Sequence, residues 1–223
     1  RSQFVRRSVI QDYQIPPERV TAIGGGINFS SLPGPAKAPA GDRSPVALFI
    51  GKEFDRKGGD LLLKAFAAVR EELPQARLIM LTHSEIPEGF SLEGVERVDP
   101  TWDRQVVADL YRRSDFLVLP SRLETWGDVL LEAMSYGLPC IGVAGQAMEE
   151  IIDDQRTGII VPPEDERALY KEPDLRRQWG ECARERVESN FTWDRVAQNL
   201  EVPFRQAMGD RNLKGGTMGV LKP

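Results

Sequence analysis

Two short runs in this chain, Val46–Ile50 and Phe116–Leu119, are apolar at every position, and Cys140–Val143 is interrupted only by Gly142. A strand with one face in water alternates apolar and polar residues. An unbroken run marks a strand buried on both faces, the condition of a parallel sheet covered by crossover helices. The chain supplies such helices. After Ile50 comes a Gly-containing loop, then a helix over about 60–72 with one apolar face made by Leu61, Leu62, Ala65, Phe66 and Val69. Ala76–Leu81, Val95–Val98 and Gly158–Val161 read as further strands. Asp103–Arg113 and Val129–Tyr136 read as helices, the latter beginning near Asp128, and Glu149–Asp153 as a short helical turn. This alternation predicts an α/β fold with a doubly wound parallel sheet.

The flanks read differently. Ser2–Gln14 has the apolar spacing of a helix, stopped by Pro16-Pro17, and Val20–Ile23 reads as a short strand. Gly24-Gly25-Gly26 follows. No Lys-Ser or Lys-Thr pair comes after it, so a flexible strand exit is favoured over a phosphate cradle. Ser31–Pro45 holds four prolines and no apolar periodicity, the composition of a linker. Beyond Pro163 the chain is charged and helical over Glu164–Tyr170, Asp174–Glu188 and Trp193–Met208, with Pro203 expected to kink or break the last helix. From Gly209 a Gly-rich tail lacks periodicity and is expected to be mobile.

Composition narrows the function classes. The formal net charge is −5, which disfavours nucleic acid as the main partner. No apolar run approaches the ~18 residues of a membrane span, and the first residues lack the apolar core of a secretory signal. Cys140 and Cys182 stand in unrelated contexts, which suggests a reducing compartment and a cytoplasmic location. His83 is the sole histidine, so a His-rich metal site and a His-based triad within this chain are excluded.

Ligands of doubly wound sheets bind at the carboxyl ends of the strands. Two loops occupy such ends. Gly51–Gly59 carries Lys52 and Lys57 just before a helix, where ammonium groups and helix N–H dipoles together suit a diphosphate. Solvated lysines balanced by Glu53 and Asp55 are the competing reading. Leu119–Pro139 places Gly127 at a turn into a helix, with Glu124 in the loop and Glu132 on the helix. Ionised carboxylates accept hydrogen bonds from sugar hydroxyls. Taken alone, this spacing does not separate ligand-binding carboxylates from ordinary surface ones, and paired carboxylates also occur in glycosidases.

In order along the chain stand F-I-G-K-E-F-D-R-K-G-G (49–59), Pro120-Ser121, Glu124 with Gly127, Glu132-Ala133-Met134, Gly137-x-Pro139, Glu150-Ile151-Ile152, Thr157-Gly158 and Phe191-Thr192-Trp193. In these residues the chain resembles the carboxyl-terminal, donor-binding half of the family-four retaining glycosyltransferases, from about Ser2 to Gln206. The resemblance implies a Rossmann-like domain of the GT-B fold over 46–190. Residues 1–28 would be a remnant of the amino-terminal acceptor domain, 29–45 a linker, 191–208 the helix crossing back, and 209–223 a tail.

The resemblance also implies roles. The catalytic assignments fall on Glu124, Lys57 and Lys52. Lys57 would meet the donor diphosphate, as would Lys52, which stands where the family usually has arginine. Glu124 would contact the transferred sugar and Glu132 the ribose hydroxyls. Backbone N–H groups of Trp126, Gly127, Asp128 and Val129 would face sugar and phosphate, and the base would lie near Val98. Such enzymes are of the hexosyltransferase type, act in polysaccharide biosynthesis, and use a nucleotide sugar as substrate with no cofactor and no metal. The acceptor, a glycan, lipid or other alcohol, would bind through the amino-terminal domain, and peripheral membrane association of a full-length protein is compatible with that.

Two departures stand out: about ten residues seem absent after Ala168, and most of an amino-terminal domain is not in the chain. The isolated chain is therefore expected to be largely inactive. The alternatives are a non-catalytic nucleotide-sugar-binding or scaffold domain, and another GT-B enzyme such as a phosphorylase or a sugar epimerase. A phosphorylase would need a pyridoxal-phosphate lysine site, for which the sequence offers no convincing setting.

Overall fold

The computed structural model describes residues 1–36, 45–162 and 173–208, without the side chains of 173–175. The helix expected at Glu164–Tyr170, the gap after Ala168, the tail from Gly209 and part of the linker lie outside the described residues.

Six parallel strands form one sheet in the order β3-β2-β1-β4-β5-β6. They are β1 (Val46–Gly51), β2 (Arg77–Thr82), β3 (Val95–Val98), β4 (Phe116–Leu119), β5 (Cys140–Val143) and β6 (Gly158–Val161). The order reverses between β1 and β4, so a crevice opens at the carboxyl ends of these two strands. The helices are α1 (Gln3–Asp12), α2 (Gly59–Glu72), α3 (Arg104–Arg113), α4 (Asp128–Ser135), α5 (Met148–Ile151), α6 (Pro173–Asn190) and α7 (Trp193–Ala207).

The apolar runs do what their unbroken character requires. Val46 and Leu48 belong to one core with Leu117, Leu119, Leu130, Leu131 and Met134. Ala47 and Phe49 belong to a second with Phe116, Val118, Leu62, Leu63 and Phe66. Successive strand residues point to opposite faces, so α3 and α4 cover one face and α2 the other. Phe49 is fully buried, and its truncation to Ala should cost about 4 kcal/mol.

Helix α1 buries no residue and is held instead by its caps. The Ser2 hydroxyl accepts from the Val5 amide at 3.1 Å, and the Glu150 carboxylate accepts from the Gln3 and Phe4 amides, each at 2.8 Å. Three of the four N–H groups that a helix start leaves unpaired are thereby satisfied.

Three expectations are corrected. Val20–Ile23 forms no strand. A ladder needs a partner, and this segment's carbonyls go to side chains: Val20 accepts from Arg6 Nε at 2.7 Å and Ile23 from Asn199 Nδ2 at 3.2 Å. The triple glycine is not a flexible exit, since Gly25 and Gly26 are buried. A Cβ on Gly25 would lie 2.9 Å from Trp126 Nε1, and one on Gly26 would lie 2.7 Å from the Trp193 amide nitrogen. Glycine there permits close approach. Helix α7 runs through Pro203 without a break; the carbonyl four residues earlier loses its donor, and on so exposed a helix water can replace it.

Candidate active site

At the carboxyl ends of β1 and β4 two loops are stitched together. The Arg122 amide donates to the Arg56 carbonyl at 2.9 Å, and Arg56 Nη1 donates to the Leu123 carbonyl at 3.1 Å. The Arg122 guanidinium grips Asp60 with two bonds of 2.7 Å, a bidentate geometry that holds the Asp60 carboxyl below its usual range. Gly58 has φ +75°, and a Cβ there would come within 2.0 Å of the Pro120 carbonyl oxygen. Only glycine lets these loops touch.

The contact brings Lys57 and Glu124 together. Lys57 Nζ donates to Glu124 Oε2, with side-chain exposures of 14% and 8%. Glu124 is fixed from other directions too. Its amide donates to Gln146 Oε1, while Gln146 Nε2 donates to the Ser121 carbonyl at 2.8 Å. The Ala147 amide donates to the Glu124 carbonyl at 3.3 Å. Beside the pair, Gly127 adopts φ +105° and caps the start of α4, whose first N–H groups have no acceptor within the helix.

Lys57, Glu124, Trp126, Gly127, Asp128 and Val129 line one cleft of about 620 Å³, together with Arg1, Val5 and Thr125. Six of the nine residues singled out from sequence thus share one cavity. Arg1, whose Nη1 donates to both carboxylate oxygens of Asp128 at 2.7 and 2.9 Å, and Val5 were missed because their proximity is purely tertiary. Gln146 and Ser121 were also missed as the polar support of Glu124, although Pro120-Ser121 was among the residues carrying the resemblance.

The other three lie outside this lining. Lys52 is exposed, its ammonium 4.7 Å from the centroid of the Trp102 ring. Glu132 is half-buried and accepts from the Tyr111 hydroxyl at 2.7 Å. Burial raises its pKa above the usual carboxylate value, opposed by the Tyr111 hydrogen bond and Arg104 and reinforced by Asp128. Tyr111 is buried and stacks on Tyr136 with centroids 5.0 Å apart. Burial, and then the Glu132 charge, push its hydroxyl well above its usual range. Val98 ends β3 and packs against the first core.

A cavity of about 660 Å³ at the amino ends of the strands is lined by Asp115, Leu138, Arg176 and Arg184 among others, and by none of the candidate residues. Among the described residues no three of His, Cys, Asp and Glu gather as metal ligands, and no helix is long and apolar enough to cross a membrane.

Comparison with known proteins points to one family. The sequence pattern of a family described as "Glycosyl transferases group 1" matches residues 44–172. A D-inositol 3-phosphate glycosyltransferase of Kineococcus radiotolerans is 27% identical over 95% of this chain and 57% of its own length. The chain spans about half the length of the curated relatives it matches. Among solved structures, S. aureus TarM in complex with fondaparinux, α-GlcNAc-glycerol and UDP is similar with a TM-score of 0.74 and 15% identity, covering 91% of this chain and 42% of that one. Anabaena HepE in complex with UDP-glucose is similar with a TM-score of 0.59 and 16% identity, covering 74% and 49%. These two likenesses are of fold.

Proposed function

The chain belongs to the group 1 glycosyl transferases, and on that premise we propose that it is the donor-binding half of a retaining transferase that moves a sugar from a nucleoside diphosphate to an alcohol. The observation that carries the reading is the cleft in which Lys57, Glu124 and the start of α4 converge. An ammonium and the unpaired N–H groups of a helix start both stabilise negative charge. That charge grows on the diphosphate as the glycosidic bond breaks, so these groups act most strongly in the transition state.

In the free protein Glu124 neutralises Lys57. When a diphosphate enters, the ammonium is shared with it, and Glu124 turns its second oxygen to the hydroxyls of the transferred sugar. Glu132, about one helical turn further along α4, accepts from the ribose hydroxyls. The base lies toward Val98. Lys52, on a flexible stem one strand end away, swings from Trp102 to the phosphates. The acceptor attacks from the face the diphosphate leaves, and the departing phosphate oxygen takes its proton. Two names support the donor class: TarM was solved with UDP and HepE with UDP-glucose. The acceptor, a glycan, lipid or other alcohol, enters from residues beyond this cleft, so the isolated chain turns donor over hardly at all; robust transfer by it alone would contradict the reading.

The test is calorimetric titration with UDP-, GDP- and ADP-glucose. One nucleotide is expected to be preferred, and Lys57→Ala and Glu132→Ala each to weaken its binding about tenfold or more. Unchanged affinity in both variants would overturn the assignment.

A further inference from the structure

Arg1 stands outside the sheet, yet its side chain lines the same cleft as Lys57 and Glu124. The backbone around it fixes its place. The Gly24 amide donates to the Arg1 carbonyl at 3.0 Å, and the Ser2 hydroxyl donates to the Thr125 carbonyl at 2.7 Å. The stem of the side chain passes Gly25, where a Cβ would lie 3.2 Å from Arg1 Cδ and 2.9 Å from Trp126 Nε1. The glycine run thereby makes room for the arginine stem and the indole together. The guanidinium then reaches the first residue of α4, where Nη1 donates to both oxygens of Asp128.

A guanidinium has five N–H donors, and this one spends only those of a single nitrogen. Nη2 and Nε have no acceptor among the described residues. The pair is also partly in water, with side-chain exposures of 41% and 51%, so sharing it with a ligand costs little. Among the described residues Lys57 and Arg1 are the two cations in the lining of this cleft, while Lys52 rests on Trp102 outside it. A diphosphate bridging nucleoside and sugar bears charge on both phosphates, and Lys57 offers a single ammonium. Asp128 sharpens the need, because an unpaired carboxylate at the start of α4 would repel any anion approaching it.

We propose that Arg1 is a further catalytic residue of the transfer: its unspent guanidinium nitrogens grip the phosphate next to the transferred sugar, in the cleft it shares with Lys57. This rests on the nucleotide-sugar reading above and deepens it, by adding a phosphate ligand from a segment outside the donor sheet. With the sugar at Glu124, the adjoining phosphate is the distal one of the diphosphate. The planar fork of arginine matches two phosphate oxygens, where Lys57 contributes a point charge. As the bond from the anomeric carbon to the phosphate oxygen breaks, its electron pair stays on that oxygen. The acceptor oxygen bonds to the anomeric carbon, and its proton passes to the phosphate. Arg1 loses no proton in this step; it acts through charge and hydrogen bonds that strengthen as the phosphate becomes more negative.

The experiment is a ³¹P NMR titration of UDP, GDP and ADP, and of UMP, GMP and AMP, with the 223-residue chain. Wild type is compared with Arg1→Gln, Asp128→Asn and the double variant; both side chains are exposed enough that neither change threatens the fold. Arg1→Gln is expected to weaken the preferred diphosphate about tenfold, the loss of a charge-assisted hydrogen bond. It should also remove much of the β-phosphorus shift and leave the matching monophosphate unaffected. Asp128→Asn frees the guanidinium and removes a repelling charge, so it should bind the diphosphate more tightly than wild type. The double variant keeps the net charge of the cleft and should still bind more weakly than wild type. If both single variants weaken binding alike, the pair is a structural tie and the inference is overturned. Recovery of wild-type affinity in the double variant overturns it too, since Arg1 would then only screen Asp128. So does equal weakening of monophosphate and diphosphate by Arg1→Gln, the mark of a long-range charge. These three outcomes leave the Lys57–Glu124 reading standing. If no diphosphate binds wild type, that reading fails and the role of Arg1 with it.

Discussion

Glu124 and Glu132 stand eight residues apart in the sequence, and both are carboxylates near the carboxyl edge of the sheet, yet they live in different electrostatic settings. Glu124 is buried against an ammonium, in loops locked by Arg122, Arg56 and Gly58. Glu132 is half-buried against a neutral phenol, with its pKa raised by burial. The first setting is a closed ion pair that a ligand must share. The second is a carboxylate that, among the described residues, is hydrogen-bonded to a phenol rather than paired with a cation, which a hydroxyl-bearing ligand can relieve by donating a second hydrogen bond. Charge compensation in one region and desolvation in the other set the two apart, in keeping with the proposed phosphate–sugar end and ribose end.

The contrast can be broken most forcefully at the ion pair. Lys57→Met should destabilise the fold by about 3 kcal/mol in urea denaturation, because it strands a buried carboxylate. The double variant Lys57→Met/Glu124→Gln should recover most of that loss. If the single variant were as stable as the double, the two groups would not be compensating each other.

Gly58→Ala comes next. A Cβ within 2.0 Å of the Pro120 oxygen, on a backbone that L residues avoid, should cost about 2 kcal/mol and part the two loops. Thermal unfolding reads the first effect, and weaker nucleotide binding the second.

The Glu132 region should respond to pH. Its folded pKa lies above its unfolded value, so the folded state holds the proton more tightly. Its contribution to stability therefore rises as pH falls through the folded pKa toward the unfolded one, and is lost as pH rises back through the folded pKa. With Glu132 accepting from the ribose as proposed, nucleotide binding runs the other way: it should weaken as pH falls through the raised Glu132 pKa, and so begin to weaken while still above the ordinary carboxylate range. Tyr111→Phe removes a bond that lowers this pKa, so the midpoint should move up, with a stability cost of about 1 kcal/mol. Glu132→Gln should abolish the pH effect. A pH profile identical in wild type and Glu132→Gln would remove the distinction between the two carboxylates.

Arg122→Ala should have the smallest effect, about 1 kcal/mol, since its pair with Asp60 is partly solvated.

Much of the fold was legible in the sequence because burial on both faces leaves a local signature. Val46–Ile50 and Phe116–Leu119 announce central strands on their own. The position of the cleft was legible too, since glycines at 51, 58 and 127 mark loops at strand ends. Val20–Ile23 misled because strand propensity is local while a ladder needs a neighbour. The Gly24–Gly26 run misled because its cause, the rings of Trp126 and Trp193, lies about one hundred residues or more away. Pairing of Lys57 with Glu124 rather than with nearby acids, the retention of Glu132 by Tyr111, and the seat of Lys52 on Trp102 are contacts between elements, invisible to spacing.

The central claim is that the Lys57 ammonium meets the donor diphosphate. A ³¹P NMR titration of the preferred nucleoside diphosphate with wild type and with Lys57→Met/Glu124→Gln tests it most directly, because the double variant keeps the fold while removing the charge. The account predicts that the β-phosphorus signal shifts on binding to wild type, and that the double variant binds about tenfold or more weakly with most of that shift lost. Equal affinity and equal shift in the two proteins would contradict it.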